Sequence, residues 1–299
     1  MPMSFHGLVN TKSEEIMKIA WIGTGVMGKP MALHLADAGY DVTVYNRTYE
    51  KAKALEPKVK VAKDIKSCVE NADVVFSIVG YPSDVNETYE HVMKYVKKNT
   101  ILIDMTTSSP TLAVELEKEA KKQGLSMLDA PVTGGDLGAK NATLSIMVGG
   151  DEKVFHHVLP LLERLGKTIT YMGKPGNGQH AKLANQTAIA GSIIGIAEAL
   201  IYAKSKGLDQ ERMLSVITGG SANSWQAANN GLKMIRGDYA PGFYIKHFLK
   251  DLKLVIEEKK DLPLEVVTQV ARVYEILSDD HMQDLGTQAV IEYYLRRMN

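Results

Sequence analysis

The stretch "IAWIGTGVMGKPMALHLADAG", running from Ile19 to Gly39, restricts the fold of this chain more than any other. An apolar run ends at Ile22, Gly23, Gly25 and Gly28 follow it directly, and apolar residues at helical period continue from near Lys29 to Ala38. A strand that enters a helix through glycines at this spacing can present backbone N–H groups to a pyrophosphate. The first glycine permits a tight turn, the second a close approach of the ligand, and the third close helix packing. The loop Gly23, Thr24, Gly25, Val26, Met27, Gly28 is therefore the expected cradle of a dinucleotide.

The rest of the first half repeats the alternation. "DVTVYN" reads as a strand, a helix starts at Tyr49, and "VVFSIV", "ILIDM", a strand from Leu125 to Val132, "LSIMVGG" and "TITYMG" follow. Strands alternating with helices predict an α/β fold, a doubly wound parallel sheet of the Rossmann type covered on both faces. The segment "GKPGNGQ" punctuates the chain, and beyond it nearly every window is helical. A single helix from about His180 to Lys206, roughly 40 Å long, enters an all-α domain with breaks at "TGGSANS", "RGDYAPGF" and "DLPLE". The expected organisation is a flexible leader at 1–16, a dinucleotide-binding domain at 17–177, and a helical substrate and oligomerisation domain at 178–299. The leader has neither a signal-peptide core nor a transit-peptide composition, and Met17 is a candidate start.

Composition narrows the partners. Lys plus Arg and Asp plus Glu number 35 each, so no net charge draws the chain to nucleic acid or anionic membrane. The apolar run "QTAIAGSIIGIAEALIYA" carries Gln186, Ser192 and Glu198, the pattern of a buried helix rather than a membrane span. The single cysteine, Cys68, cannot form an internal disulfide, and the adjacent His156 and His157 lack metal-ligand spacing, so no metal is expected and a reducing cytoplasm is the expected home. A long apolar helix in a small domain predicts a homodimer or homotetramer, because it otherwise leaves a large patch exposed.

The cofactor is read at the end of the second strand, where an acid would bind the ribose hydroxyls of NAD. Here the chain has Asn46, Arg47 and Thr48. Arg47 can clamp a 2′-phosphate, and Asn46 and Thr48 can donate to the same oxygens. The expectation is NADP(H) in preference, with NAD(H) possible.

With "IDMTTSSP", "LDAPVTGGDLGA", "GNGQHAKLANQ" and "FLKDLKLV" following the glycine loop in order, the chain from Met17 onward resembles the β-hydroxyacid dehydrogenases. That family includes 3-hydroxyisobutyrate dehydrogenase, tartronate semialdehyde reductase and the glyoxylate/succinic semialdehyde reductases. From position alone, Lys182 lies early in the long helix, where the macrodipole disfavours its charge and lowers its pKa. The resemblance implies that Lys182 is the general acid and base at the carbonyl or alcohol oxygen. It assigns Thr133, Gly134 and Gly135 to a substrate carboxylate, Thr107 to the nicotinamide half of the cofactor, and Lys250 to the cofactor or the carboxylate. The family's asparagine four residues after the lysine is Gln186 here, with Asn185 just before it, so the substrate amide contact lies with one or the other. Where 6-phosphogluconate dehydrogenases have histidine, this chain has Asn185, which argues against decarboxylation. Imine reductases usually replace the lysine. The expected function is reversible hydride transfer between NADP(H) and a small 3-hydroxy acid, semialdehyde or 2-oxo acid. The alternatives are an NAD-linked 3-hydroxyisobutyrate dehydrogenase and a non-catalytic nucleotide-binding regulator.

Overall fold

The computed structural model describes residues 16–298, so the expected leader, apart from Ile16, lies outside the described residues. Strands β1 (Lys18–Ile22), β2 (Asp41–Tyr45), β3 (Lys60–Val61), β4 (Val74–Ser77), β5 (Ile101–Asp104) and β6 (Ser126–Asp129) run parallel, in the spatial order β3-β2-β1-β4-β5-β6. The chain leaves β1 in one direction and returns to β4 on its other side. A crevice therefore opens beyond the carboxyl ends of β1 and β4, where doubly wound sheets bind ligands.

Alternation along the strands assigns each apolar side chain to one of two layers. Ile19, Trp21, Val42, Val44, Phe76 and Ile103 join one core with α1 (Gly28–Asp37), α2 (Tyr49–Lys53) and α7 (Glu152–Leu162). Ala20, Ile22, Val75 and Leu102 join the other with α3 (Ile65–Val69), α4 (Pro82–Val92) and α5 (Pro110–Lys122). Helix starts follow their caps: the Ser109 side chain accepts from Leu112 N ahead of Pro110, and Asp151 accepts from Lys153 N and Val154 N.

The far edge departs from the expected all-parallel sheet. The strand expected from Leu125 to Val132 is interrupted at Ala130 and Pro131, giving β6 and the short β7 (Val132–Thr133), because proline has no N–H for the ladder. The two pieces keep one register against β8 (Leu144–Gly149), with Asp129 opposite Gly149 and Val132 opposite Ile146. Both run antiparallel to β8, since the connection through α6 (Gly135–Lys140) is too short for a crossover. β9 (Gly166–Gly173) returns parallel to β8.

The long helix α8 spans Asn177–Ser205, 29 residues, so it begins three residues earlier than expected and runs about 43 Å. Around it pack α9 (Gln210–Gly219), α10 (Trp225–Arg236), α11 (Ile245–Lys259), α12 (Glu265–Asp279), a 3-10 turn at Thr287–Val290 and α13 (Ile291–Leu295). Among the described residues α8 is the one helix long and apolar enough to cross a bilayer, yet its Gln179, Lys182 and Gln186 are buried against protein.

Candidate active site

The glycine loop opens the crevice, and its three glycines have different causes. A Cβ on Gly23, whose φ is +96°, would overlap the Ile78 carbonyl oxygen, and one on Gly28 would overlap the carbonyl oxygen of Gly23. Gly25 has nothing within 4 Å of a built Cβ and no positive φ. No protein atom requires glycine there, which fits a backbone reserved for a ligand's close approach. The entering helix α1 has no side-chain cap and no acid in its first turn, and the buried Thr24 hydroxyl has no partner among the described residues. Unsatisfied donors at an uncapped helix start suit a pyrophosphate.

At the end of β2, Asn46 has a second task besides the expected one. Asn46 is committed to the loop itself: its Oδ1 accepts from Thr24 N at 2.9 Å and its Nδ2 donates to the Thr48 carbonyl at 3.0 Å. It braces the glycine loop with Oδ1 and one Nδ2 hydrogen, which leaves the second Nδ2 hydrogen to donate to a phosphate. Arg47 is left, with its side chain 84% exposed and Nη1 3.4 Å from Asp84 Oδ1. Asp84 is fixed in turn, since its Oδ2 accepts from Tyr81 N at 3.0 Å.

Across the crevice, α8 is joined to the sheet by Asp129 at the end of β6. Its Oδ1 accepts from Gly176 N at 2.9 Å and its Oδ2 from Gln179 N at 2.8 Å. Burial pushes this carboxyl up to about 6, partly offset by those backbone donors. Gly178 has no room for a side chain, because a Cβ would lie 2.5 Å from the Asp129 carbonyl oxygen. The start of the helix, and with it the residues one turn on, is thereby held against the sheet.

Lys182 is the sixth residue of α8, past the first turn where the macrodipole acts. Its side chain is 5% exposed, and its ammonium is lowered from 10.5 to about 8 by burial, helped by Lys250 and opposed by Asp251. The perturbation expected from position is present, but desolvation is its cause. Lys182 Nζ has no hydrogen-bond partner among the described residues.

The neighbouring side chains form a chain of contacts. Asn185 Nδ2 donates to Thr133 Oγ1 at 3.3 Å and to Gln186 Oε1 at 3.0 Å, and Gln186 Nε2 donates to the buried Asp251 Oδ2 at 2.7 Å. Asp251 Oδ1 lies 2.9 Å from Lys250 Nζ, which donates to the Thr107 carbonyl at 2.5 Å. Lys250 thus reaches back from α11 to the loop after β5. Of the two candidate amides, Asn185 meets the Thr133 turn and Gln186 is engaged with α11. Gly134 and Gly135 follow Thr133 with φ of +130° and +65°, the successive left-handed conformations that turn N–H groups to one side.

Thr133, Asn185, Gln186, Lys182, Lys250 and Thr107 therefore converge, while Arg47 stands at the far end of the crevice. Trp225 lies outside this network and is 52% exposed, whereas Phe243 packs on the helical core. Sequence reasoning missed Asp129, Gln179 and Asp251. Each sits inside a quoted motif, but only Asp129, a lone acid in an apolar run, carries a signal of its own.

Comparison with known proteins agrees with this geometry. Residues 18–173 match the family model described as the NAD binding domain of 6-phosphogluconate dehydrogenase. Residues 176–294 match the NAD-binding of NADP-dependent 3-hydroxyisobutyrate dehydrogenase. The chain is 44% identical to "Probable 3-hydroxyisobutyrate dehydrogenase-like 1, mitochondrial" of Arabidopsis thaliana, covering 94% of this chain and 86% of that one. It is 37% identical to the 2-hydroxy-3-oxopropionate reductase of Escherichia coli K12, over 84% of this chain and 87% of that one. Among solved structures, a Mycobacterium tuberculosis 3-hydroxyisobutyrate dehydrogenase with L-serine superposes with a TM-score of 0.85 at 33% identity, over 93% of this chain and 98% of that one. The chain belongs to the β-hydroxyacid dehydrogenase family and is a nicotinamide-dependent oxidoreductase acting on CH–OH donors.

Proposed function

We propose that the protein reduces small carboxylic semialdehydes or 2-oxo acids with NADPH, and runs in reverse as a 3-hydroxyacid dehydrogenase. The observation that carries this reading is Lys182, a buried ammonium brought down to about 8 and close to Lys250, on the helix whose Asn185 meets the hydroxyl-and-glycine turn at Thr133. Near neutral pH Lys182 is still mostly protonated and can give a proton to a carbonyl oxygen. Above about pH 8 it is mostly the free base and can take one from an alcohol. When bound, the cofactor supplies or accepts the hydride at the carbon. Thr133, Gly134 and Gly135 hold the substrate carboxylate, Asn185 orients it, Thr107 borders the nicotinamide, and the loop from Gly23 to Gly28 holds the pyrophosphate.

Arg47 is proposed as the NADP-selecting residue. It is exposed, it carries the one positive charge among Asn46, Arg47 and Thr48, and its partner Asp84 holds it at only 3.4 Å. Small-residue positions Ala184, Ala188 and Gly195 and the exposed Tyr202 along α8 support a homo-oligomer, read by light scattering of the purified protein.

The deciding experiment is turnover of glyoxylate and of succinic, malonic, methylmalonic and tartronic semialdehydes with NADPH and with NADH, for the parent, Lys182→Ala and Arg47→Ala. Full turnover in Lys182→Ala would remove the proposed acid. NADH preference in the parent would remove the cofactor assignment and favour the NAD-linked alternative.

A further inference from the structure

Three consecutive residues of the loop after β5 are gripped from the helical domain, two of them by one side chain. Gln179 Nε2 donates to the Thr106 carbonyl at 2.8 Å, and Gln179 Oε1 accepts from Ser108 N at 2.9 Å. Between them, the Thr107 carbonyl accepts from Lys250 Nζ. From the sheet side, Thr106 N donates to Asp104 Oδ1 at 3.1 Å and Thr106 Oγ1 accepts from Val79 N at 3.0 Å.

Gln179 is fully buried, and both ends of its amide are used. One end faces a carbonyl and the other an N–H, so the side chain has a single satisfactory orientation. Its own backbone N–H is spent on Asp129. Gln179 and Lys182 are three residues apart on α8 and share a face. An amide that only filled space could be replaced by an apolar residue. Here that replacement would strand two buried backbone groups, on the loop that bears Thr107.

We propose that Gln179 is a positioning residue that keeps the Thr106–Ser108 loop in register with the face of α8 that carries Lys182. The hydride path and the proton path approach one carbon–oxygen bond from different domains, and Gln179 ties the two supports together. This rests on Lys182 as the proton donor and on Thr107 as a border of the nicotinamide. Misplacement of about 1 Å between reacting groups is enough to lower turnover roughly a hundredfold.

The test compares Gln179→Ala and the isosteric Gln179→Glu with the parent and Lys182→Ala. Ionised, the carboxyl introduced by Gln179→Glu could accept from Ser108 N but could not donate to the Thr106 carbonyl; protonated, it could do both. In the cofactor-free protein, exchange of the Ser108 amide hydrogen should accelerate at least about tenfold in Gln179→Ala. NADPH affinity by fluorescence should stay within about threefold, while kcat for succinic or tartronic semialdehyde falls about 10- to 100-fold with little change in KM. Turnover of Gln179→Glu relative to the parent should recover as pH falls, a rescue that mere loss of packing would not give. The inference is overturned if Ser108 exchange is unchanged, if the loss lies wholly in NADPH affinity, or if the alanine and glutamate variants behave alike at every pH. Full turnover in Lys182→Ala would instead defeat the general-acid reading, and Ser108 exchange would still decide the clamp.

Discussion

Replacing Lys182 by methionine should stabilise the fold while removing the activity. Methionine keeps the apolar stem and roughly the volume, and it deletes a charge that burial disfavours. The displacement from 10.5 to about 8, at about 1.4 kcal/mol per pH unit, is worth about 3 kcal/mol. Below pH 8 both the folded and unfolded parent carry the proton, so the whole of that disadvantage is present at pH 7. Between pH 8 and 10.5 the folded protein has released the proton and the unfolded chain has not, so stability of the parent rises with pH across this window. Above it the disadvantage is gone. Chemical denaturation should therefore find Lys182→Met more stable by about 2–3 kcal/mol at pH 7, with the gap closing toward pH 10.5. Reduction by the parent should fall above pH about 8, and oxidation should rise to a plateau there. A variant no more stable than the parent at pH 7, or a gap that ignores pH, would refute the picture of a desolvated ammonium.

Other perturbations separate ligand requirements from packing requirements. Gly25→Ala should leave unfolding within about 1 kcal/mol of the parent, from its place in the loop before α1 and the open space around it, yet weaken NADPH binding at least about tenfold, whereas Gly28→Ala should fold poorly; equal effects on stability would contradict the roles assigned to the two glycines. Asp84→Asn keeps the acceptor for Tyr81 N but removes a fixed negative charge near Arg47, so the NADPH-to-NADH ratio of kcat/KM should rise about three- to tenfold, a gain that high salt erodes; an unchanged ratio would place Asp84 outside the phosphate's field. Asp104 is fully buried and pushed up to about 6 by burial against the donors Thr106 and Ser77, so its contribution to stability is complete below about pH 4 and lost as pH rises through 6. Asp104→Asn should accordingly match the parent near pH 4 and exceed it at pH 7.5 in denaturant titrations.

The parts of this fold that sequence reveals are those whose cause is local. Gly28 is demanded by an overlap with the carbonyl oxygen of Gly23, five residues before it, and the period of the surrounding apolar residues identifies β1 and α1 without further help. The interruption at Pro131 is local as well, but register against β8 continues through it, so one predicted strand and two observed ones describe the same path. What stayed hidden depends on partners distant in the chain. Asn46 turns toward Thr24, Arg47 toward Asp84, and Gln179 toward Thr106 and Ser108, across separations no periodicity encodes. The resemblance brought Lys182, Thr133 and Lys250 into one site, yet it was silent on what holds them there.

The polar residues that position this site share a cause. Asp104 and Asp129 end adjacent parallel strands and lie opposite each other in register. A side chain at that point is buried by the sheet but faces the crevice loops, whose backbone donors have no ladder to enter. Asp104 takes the N–H of Thr106, and Asp129 takes those of Gly176 and Gln179. Each acid satisfies a loop on which one half of the proposed chemistry sits, and Gln179 joins the two loops. Burial opposes both charges, which a protein optimised for stability alone would replace by neutral groups. Their retention in this chain follows if fixed loops, rather than stability, are what these positions supply. Asp129→Asn tests that directly: its carbonyl oxygen can serve one of the two N–H groups held by Asp129, so turnover should fall about tenfold or more even where the fold is as stable as the parent. A variant equally active and more stable at pH 7.5 would show that the second carboxylate oxygen contributes nothing to the site.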